Sequence, residues 1–222
     1  FSFNGSRTTP AVDEKYVFIV GPLGDFHCIN RETHQPVWRK HLLEDYDAQK
    51  PRWVVATSPL LYRDWVIVAA QGRKAGVVAL DKATGREIWR SSPVGKMAYS
   101  SPAVTTVDGV DQVVIIAGQG TVTGIDASDG RTLWTYRGWK CANPVPSPAF
   151  ADGGRVLITG GYGAGSAMIS VVRRDGKFLT KQEFKTQNCG AQIHQPLLHE
   201  GRFYVNSNGN KRRDGLLCLD LS

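Results

Sequence analysis

Apolar residues in this chain gather in short runs and not in helical stripes. The runs at 16–20, 65–70, 112–118, 155–159 and 202–205 are nearly all apolar, the pattern of strands covered on both faces. Each is followed by a second run, at 24–30, 76–81, 120–126, 166–172 and 215–220. A third follows at 35–40, 86–90, 132–136 and 177–184, and a further one precedes each apolar run, at 4–12, 54–61, 100–105, 147–151 and 196–199. The spacing therefore predicts units of four strands, A to D, with the last unit stopping after strand C. No amphipathic stretch is long enough to predict a helix.

The units are copies of one another. The clearest is 76–89, where an alternating run ends in Asp81, a polar turn closes on Gly85, and the next strand ends in Trp89. The copy at 120–134 keeps Asp126, Gly130 and Trp134, while that at 24–38 keeps Trp38 but has Asn30 and His34 for the Asp and the Gly. The fourth keeps Gly176 but puts Val172 and Thr180 in place of the Asp and the Trp, and the fifth reaches Asp220 before its turn. A small or polar residue followed by proline recurs in step with this pattern, at Pro10, Pro59, Pro102, Pro148 and Pro196. Two independent markers sharing a period of roughly 45 residues, with four strands per period, indicate a β-propeller.

The expected fold is all-β, one domain of four-stranded antiparallel blades at about 4–42, 52–92, 97–137, 142–184 and 190–222, the last incomplete. The chain opens at Phe1 without Met and stops in mid-hairpin, so we expect part of a larger ring of about seven or eight blades. Asp81, Asp126 and Asp220 have a local reason to end strand C, because a carboxylate there accepts from backbone N–H groups of the turn that Gly85 or Gly130 completes. Trp38, Trp89 and Trp134 are expected to wedge between blades.

Composition adds direction without identifying a ligand. The 24 Gly and 11 Pro fit a turn-dense β protein, and no apolar run reaches the roughly 18 residues of a membrane-spanning helix. A net charge of +7 favours an acidic protein face or an anionic glycan as partner. Nucleic acid is disfavoured because no recognised binding module is present. The sequon at Asn4 is matched by pattern only, and the glycine-rich runs at 118–120 and 160–165 lack the following helix that a phosphate cradle requires. No hydrolase motif occurs.

The segment 79–89, preceded by Ser58 and Pro59, resembles the repeat of the pyrroloquinoline-quinone-type β-propellers. That family includes the quinoprotein alcohol dehydrogenases and the propeller lipoprotein of the outer-membrane β-barrel assembly machinery. The resemblance runs from Thr9 to Asp220 and implies an extracytoplasmic, periplasmic compartment. Its enzymatic branch implies Ca²⁺, the quinone, an Asp base and adjacent cysteines. This chain has no Cys-Cys pair, and the residues before its A strands are poor in the carboxylates Ca²⁺ needs.

The candidate site follows from loop positions. The B–C loops of blades 2 and 5 carry Arg73, Lys74, Lys211, Arg212 and Arg213, and the D–A connections carry Arg52, Lys96 and Lys140. In a propeller these loops share one face, so eight cations flanked by Trp53, Tyr99, Trp139 and Tyr162 form a candidate platform for an acidic partner. His194 faces the same channel mouth. The connection 41–51, with Glu44, Asp45 and Asp47, is the one acidic patch, read either as a functional loop or as a solvated insertion. Cys141 and Cys189 occupy one repeat position in adjacent blades, which suits a disulfide; free thiols, or a metal site with His194, are the alternatives. Cys28 and Cys218, inside strand C, are expected to be small buried hydrophobes.

The expected function is a non-catalytic interaction scaffold without a cofactor, binding through the basic loop face and channel mouth. The alternatives are a quinone- and Ca²⁺-dependent dehydrogenase or quinone sensor with part of its site outside this chain, and an anionic-glycan binder.

Overall fold

The computed structural model describes residues 6–209 and 212–221. Asn4 lies outside them. Each blade is an antiparallel meander. Blade 1 is β1 (Ala11–Val12), β2 (Tyr16–Val20), β3 (Asp25–Asn30) and β4 (Pro36–His41), and a single helical turn, α1 (Leu42–Asp45), follows it. Blade 2 is β5 (Leu60–Tyr62), β6 (Trp65–Ala69), β7 (Val77–Asp81) and β8 (Glu87–Arg90). Blade 3 is β9 (Ala103–Val107), β10 (Val110–Ile116), β11 (Val122–Asp126) and β12 (Thr132–Tyr136). Blade 4 is β13 (Ala149–Ala151), β14 (Arg155–Gly160), β15 (Gly165–Arg174) and β16 (Lys177–Thr186), and blade 5 has three strands, β17 (Leu197–His199), β18 (Arg202–Gly209) and β19 (Arg212–Asp220).

The chain divides into two compact units, 1–102 with 129–131, and 103–128 with 132–222. In the first, Phe18, Phe26, Val66, Val68 and Leu80 belong to the apolar cluster joining blades 1 and 2. In the second, Ile116, Trp134, Trp139, Ile158 and Phe178 join blades 3 and 4, and Leu157, Met168, Phe203 and Val205 join blades 4 and 5. The second strand of each blade supplies much of this because both its faces are covered; Val66, Ile67, Val68 and Ala69 are wholly buried.

The proline markers set where each innermost strand starts. β1, β5, β9, β13 and β17 all begin at the residue after Pro10, Pro59, Pro102, Pro148 and Pro196, later than the apolar pattern suggests. Proline has no N–H to give the ladder, so pairing begins beyond it. The residue before the proline bonds sideways instead: Thr9 N–H donates to Ser58 Oγ at 2.9 Å, and Ser58 N–H to Ser101 Oγ at 2.8 Å.

The turn after strand C is closed as its chemistry requires. Asp81 Oδ1 accepts from the Ala83 and Thr84 N–H groups at 3.1 and 2.8 Å, and Gly85 adopts a left-handed φ of +68°. Asn30 does the same work for Glu32 and Thr33, with His34 at φ +59° in the glycine's place. Asp126 Oδ1 accepts from Ser128 N–H at 2.9 Å. Asp220 differs, facing Arg202 across the ladder with Oδ2 to Nε at 3.8 Å. Val172 cannot close such a turn. Blade 4's ladder therefore runs on to the two-residue turn Asp175 and Gly176, making β15 and β16 ten residues each.

Two of the tryptophans lie against these turns. A β-carbon added at Gly85 would sit 2.7 Å from Trp38 Cδ2, and one at Gly130 would sit 2.6 Å from Trp89 Cε3. Trp38 Nε1 also donates to Lys82 O at 2.9 Å. Trp134 lies opposite Gly124 of its own sheet, donates to Gln112 Oε1 at 2.6 Å and packs in the cluster between blades 3 and 4.

Gly85→Ala and Gly176→Ala separate this packing from backbone strain, because Gly176 shares the left-handed φ (+74°) but has nothing within 4 Å of an added β-carbon. Denaturant titration should give a loss of about 1 kcal/mol for Gly176→Ala and about 1–3 kcal/mol more for Gly85→Ala. Equal losses would mean that the Trp contact contributes nothing.

Candidate interaction surface

The acidic connection and a basic loop are joined in the first unit. His41 Nδ1 caps α1 by accepting from Glu44 N–H at 3.3 Å, and the chain then turns through Tyr46, which is buried. Tyr46 Oη donates to Glu87 Oε2 at 3.0 Å, which locks the connection onto blade 2. The loop between β6 and β7 docks on the outside of this turn. Arg73 and Lys74 N–H groups donate to Asp47 O and Tyr46 O at 3.0 and 3.1 Å, and Arg73 Nε meets Asp47 Oδ2 at 2.7 Å. The Arg73 hydrogen bond holds the Asp47 carboxyl below the usual carboxylate range. Lys74 Nζ reaches Asp45 O at 3.5 Å. Gly72 permits this approach, since a β-carbon there would collide with the Tyr46 carbonyl. The connection is thus a docked element and not a solvated insertion.

With Arg73 and Lys74 engaged, Arg52 and Lys96 remain as exposed cations of the first unit's connections. Arg52 lies over Trp53, its guanidinium 5.4 Å from the ring centroid. Trp53 and Tyr99 rings are 5.7 Å apart at 50°, and Tyr99 Oη accepts from Trp53 N–H at 3.3 Å. Val54, next in the chain, has φ +62°, a conformation β-branched residues avoid; its N–H bonds Pro51 O at 3.1 Å. This turn presents the half-buried Trp53 beside the exposed Arg52. A groove of about 430 Å³ is lined by Lys50, Pro51, Gln71, Arg73, Lys96 and Met97 among others. Buried Gln71 ties its walls together by accepting Ala98 N–H at 2.6 Å.

The second unit holds the other candidates. Lys140 is exposed, but Trp139 beside it is wholly buried, donating Nε1 to Ala164 O at 3.2 Å, so it is core and not surface. Tyr162 is exposed and accepts from Gln192 Nε2 at 3.3 Å; His194 is exposed, with Nδ1 3.4 Å from Asn206 Nδ2. Lys211 lies outside the described residues, as do the side chains of Arg212 and Arg213, whose backbone opens β19. The charges at 44–47 and 73–74 are of opposite sign, which is the sequence signal that they pair. The Val54 turn had no such signal, since the residue type argues against it.

The expected disulfide is not formed. All four cysteines are free, because Cys141 packs into the cluster between blades 3 and 4 and Cys189 into that between blades 4 and 5. Burial pushes the Cys141 thiol up to about 11 and Cys28 up to about 12, and raises Cys189 as well. Cys218 is exposed, not buried, since β19 is the outer strand of a three-stranded sheet. Among the described residues no three His, Cys, Asp or Glu side chains converge on a metal position. The described residues thus do not fit the oxygen-ligand cage of a Ca²⁺-quinone site.

A family model described as outer membrane protein assembly factor BamB matches residues 2–222. Among solved structures, BamB from Moraxella catarrhalis superposes with TM-score 0.61 at 17% identity, over 96% of this chain and 56% of that one. Quinohemoprotein alcohol dehydrogenase from Comamonas testosteroni gives 0.60 at 16%, over 98% and 43%. A chain of the mitotic checkpoint complex gives 0.64 at 9%, over 96% and 63%. These likenesses show the fold, a β-propeller of the quinoprotein type, and this chain spans 43–63% of the length of each. No curated protein sequence matches it.

Thiol titration at pH 8 without reductant should find Cys218 reactive at once and Cys28, Cys141 and Cys189 only on unfolding; fewer than four thiols after unfolding would restore the disulfide. The raised values also fix a pH dependence. An unfolded thiol ionises near its ordinary 9.0 while the folded one holds its proton to about 11 at Cys141, so this contribution is full below pH 9 and is lost as pH climbs towards 11. Urea melts at pH 8 and pH 10 should show lower stability at the higher pH, with Cys141→Ala reducing the difference.

Proposed function

The chain belongs to the family of the outer membrane protein assembly factor BamB, and from that premise we propose that it is a non-catalytic scaffold for protein assembly outside the cytoplasm. It binds a protein partner through Arg52, Trp53 and Tyr99 and the groove beside them. The observation that carries this reading is the stacked cation and aromatic pair held on a strained turn. Trp, Tyr and Arg are the residues in which binding energy concentrates, because they present large rigid area with a polar edge. Preorganisation by the Val54 turn and the Gln71 clamp lowers the ordering cost of binding. The partner carries acidic groups: Arg52 and Lys96 are exposed with no ion pair among the described residues, and a carboxylate can take bidentate bonds from Arg52. No helix among the described residues is long and apolar enough to cross a membrane.

The dehydrogenase reading draws support from the quinoprotein neighbours but not from the described residues, among which no three His, Cys, Asp or Glu side chains converge on a metal position.

A photo-crosslinking residue at position 96, in cell envelopes of the native host, should trap a protein. Trp53→Ala should weaken its binding to the purified protein by roughly thirty-fold, the effect of losing about 2 kcal/mol at an interface centre. Unchanged affinity would remove Trp53 and Tyr99 from the interface. Saturable quenching of tryptophan fluorescence by pyrroloquinoline quinone, dependent on Ca²⁺, would overturn the scaffold reading.

A further inference from the structure

The groove beside the Trp53 turn is built from three connections, the one after β4, the loop between β6 and β7, and the one after β8, and all of its walls lie inside the first unit. Its shape is enforced by backbone that a loose crevice would not need. Gln71 is buried yet has φ +45°, and Asp47 has φ +53°. Left-handed conformations at residues other than glycine persist only where the surroundings hold them, and they gather at sites that bind.

Two kinds of surface meet in it. Pro51, Pro93 and Met97 supply an apolar lining. Lys50, Arg73 and Lys96 bring three positive charges against the one carboxylate of Asp47, a net of +2. Asp47 itself shows how a carboxylate is received, with Oδ2 2.7 Å from Arg73 Nε and the two side chains 42% and 82% exposed. That contact uses one of the five guanidinium N–H donors. Arg73 Nη1 and Nη2 make no hydrogen bond or ion pair among the described residues, and neither does Lys96 Nζ, which is exposed.

We infer that the groove receives a short extended segment of the partner protein, with an aliphatic side chain against Met97 and two carboxylates that go to Arg73 and Lys96, and that Asp47 competes with the first of these for Arg73. The inference rests on the scaffold reading above and adds the chemistry of what that surface takes. Charge decides between sources of the carboxylate. Two acidic side chains balance the net +2 of the lining, whereas the terminus of a chain that ends in an apolar residue brings one. Alternate residues of an extended chain lie on one face about 7 Å apart, so the aliphatic residue carries its carboxylates two positions to either side. A flat anionic membrane fits less well, because the apolar lining is recessed and Asp47 would face the lipid phosphates.

The test is fluorescence anisotropy of the purified chain with a fluorescein-labelled peptide in which leucine has aspartate two positions away on each side and serine between. Saturable binding is expected, about tenfold or more weaker with Lys96→Glu and, separately, with serine for the peptide's leucine. Asp47→Asn should tighten it by about five-fold, since the change removes one like charge ~4 Å from the incoming carboxylate and keeps a residue that tolerates the left-handed φ. An Asp47 that only braces the loop would give the opposite sign. Circular dichroism confirms that each variant folds, and the peptide variant needs no change to the protein. No binding at millimolar peptide, weaker binding with Asp47→Asn, or equal binding of a peptide with lysine for aspartate overturns the inference. Capture by anionic vesicles that Lys96→Glu abolishes, without peptide binding, overturns it in favour of lipid. The two readings fail separately. A trapped partner whose affinity falls with Trp53→Ala but ignores Lys96→Glu and Asp47→Asn removes this inference and keeps the scaffold, whereas peptide binding that follows all three changes, with no partner trapped, keeps the groove and removes the scaffold.

Discussion

The packing of a tryptophan ring on the bare backbone of the next blade's turn is the contact on which the repeat depends. Trp38 on Gly85 and Trp89 on Gly130 leave no room for a β-carbon, so the ring and the turn are fitted as one surface. Between blades 1 and 2 the ring wedges the outer edge of the sheet, and the apolar second strands meet in one cluster and exclude water. The Asp or Asn that closes the turn belongs to the same device. Its oxygen holds the turn in the shape the ring requires, so the Asp, Gly and Trp of the motif are parts of one interface although only the Trp is large.

At the inner ends of the blades a different constraint operates. Proline stops the ladder, and the residue ahead of it turns its hydrogen bonds to the neighbouring blade. The connections that follow are therefore held by side chains and by each other. The segment around Tyr46, Asp47 and Arg73 shows how far this goes: an acidic loop and a basic loop neutralise one another and form one wall of a groove. In the proposed reading the partner meets a small set of residues, Arg52, Trp53, Tyr99 and Lys96. Blade 4 departs from the motif locally, since Val172 cannot close the turn and the hairpin lengthens to Asp175 and Gly176.

Read by itself, the sequence determined the blades, their order and their turn chemistry. It could do so because these are local: a strand alternates or fills with apolar residues within a few positions, and an Asp bonds N–H groups two and three residues on. The same locality made the departures at Val172 and Thr180 visible, though not the extended hairpin that follows from them. Tertiary structure decided everything that rests on pairing between distant loops. It set Asp47 against Arg73, buried Trp139, sent Cys141 and Cys189 into separate clusters and exposed Cys218. Charge and exposure depend on what lies across a gap of many residues, and no spacing along the chain records that distance.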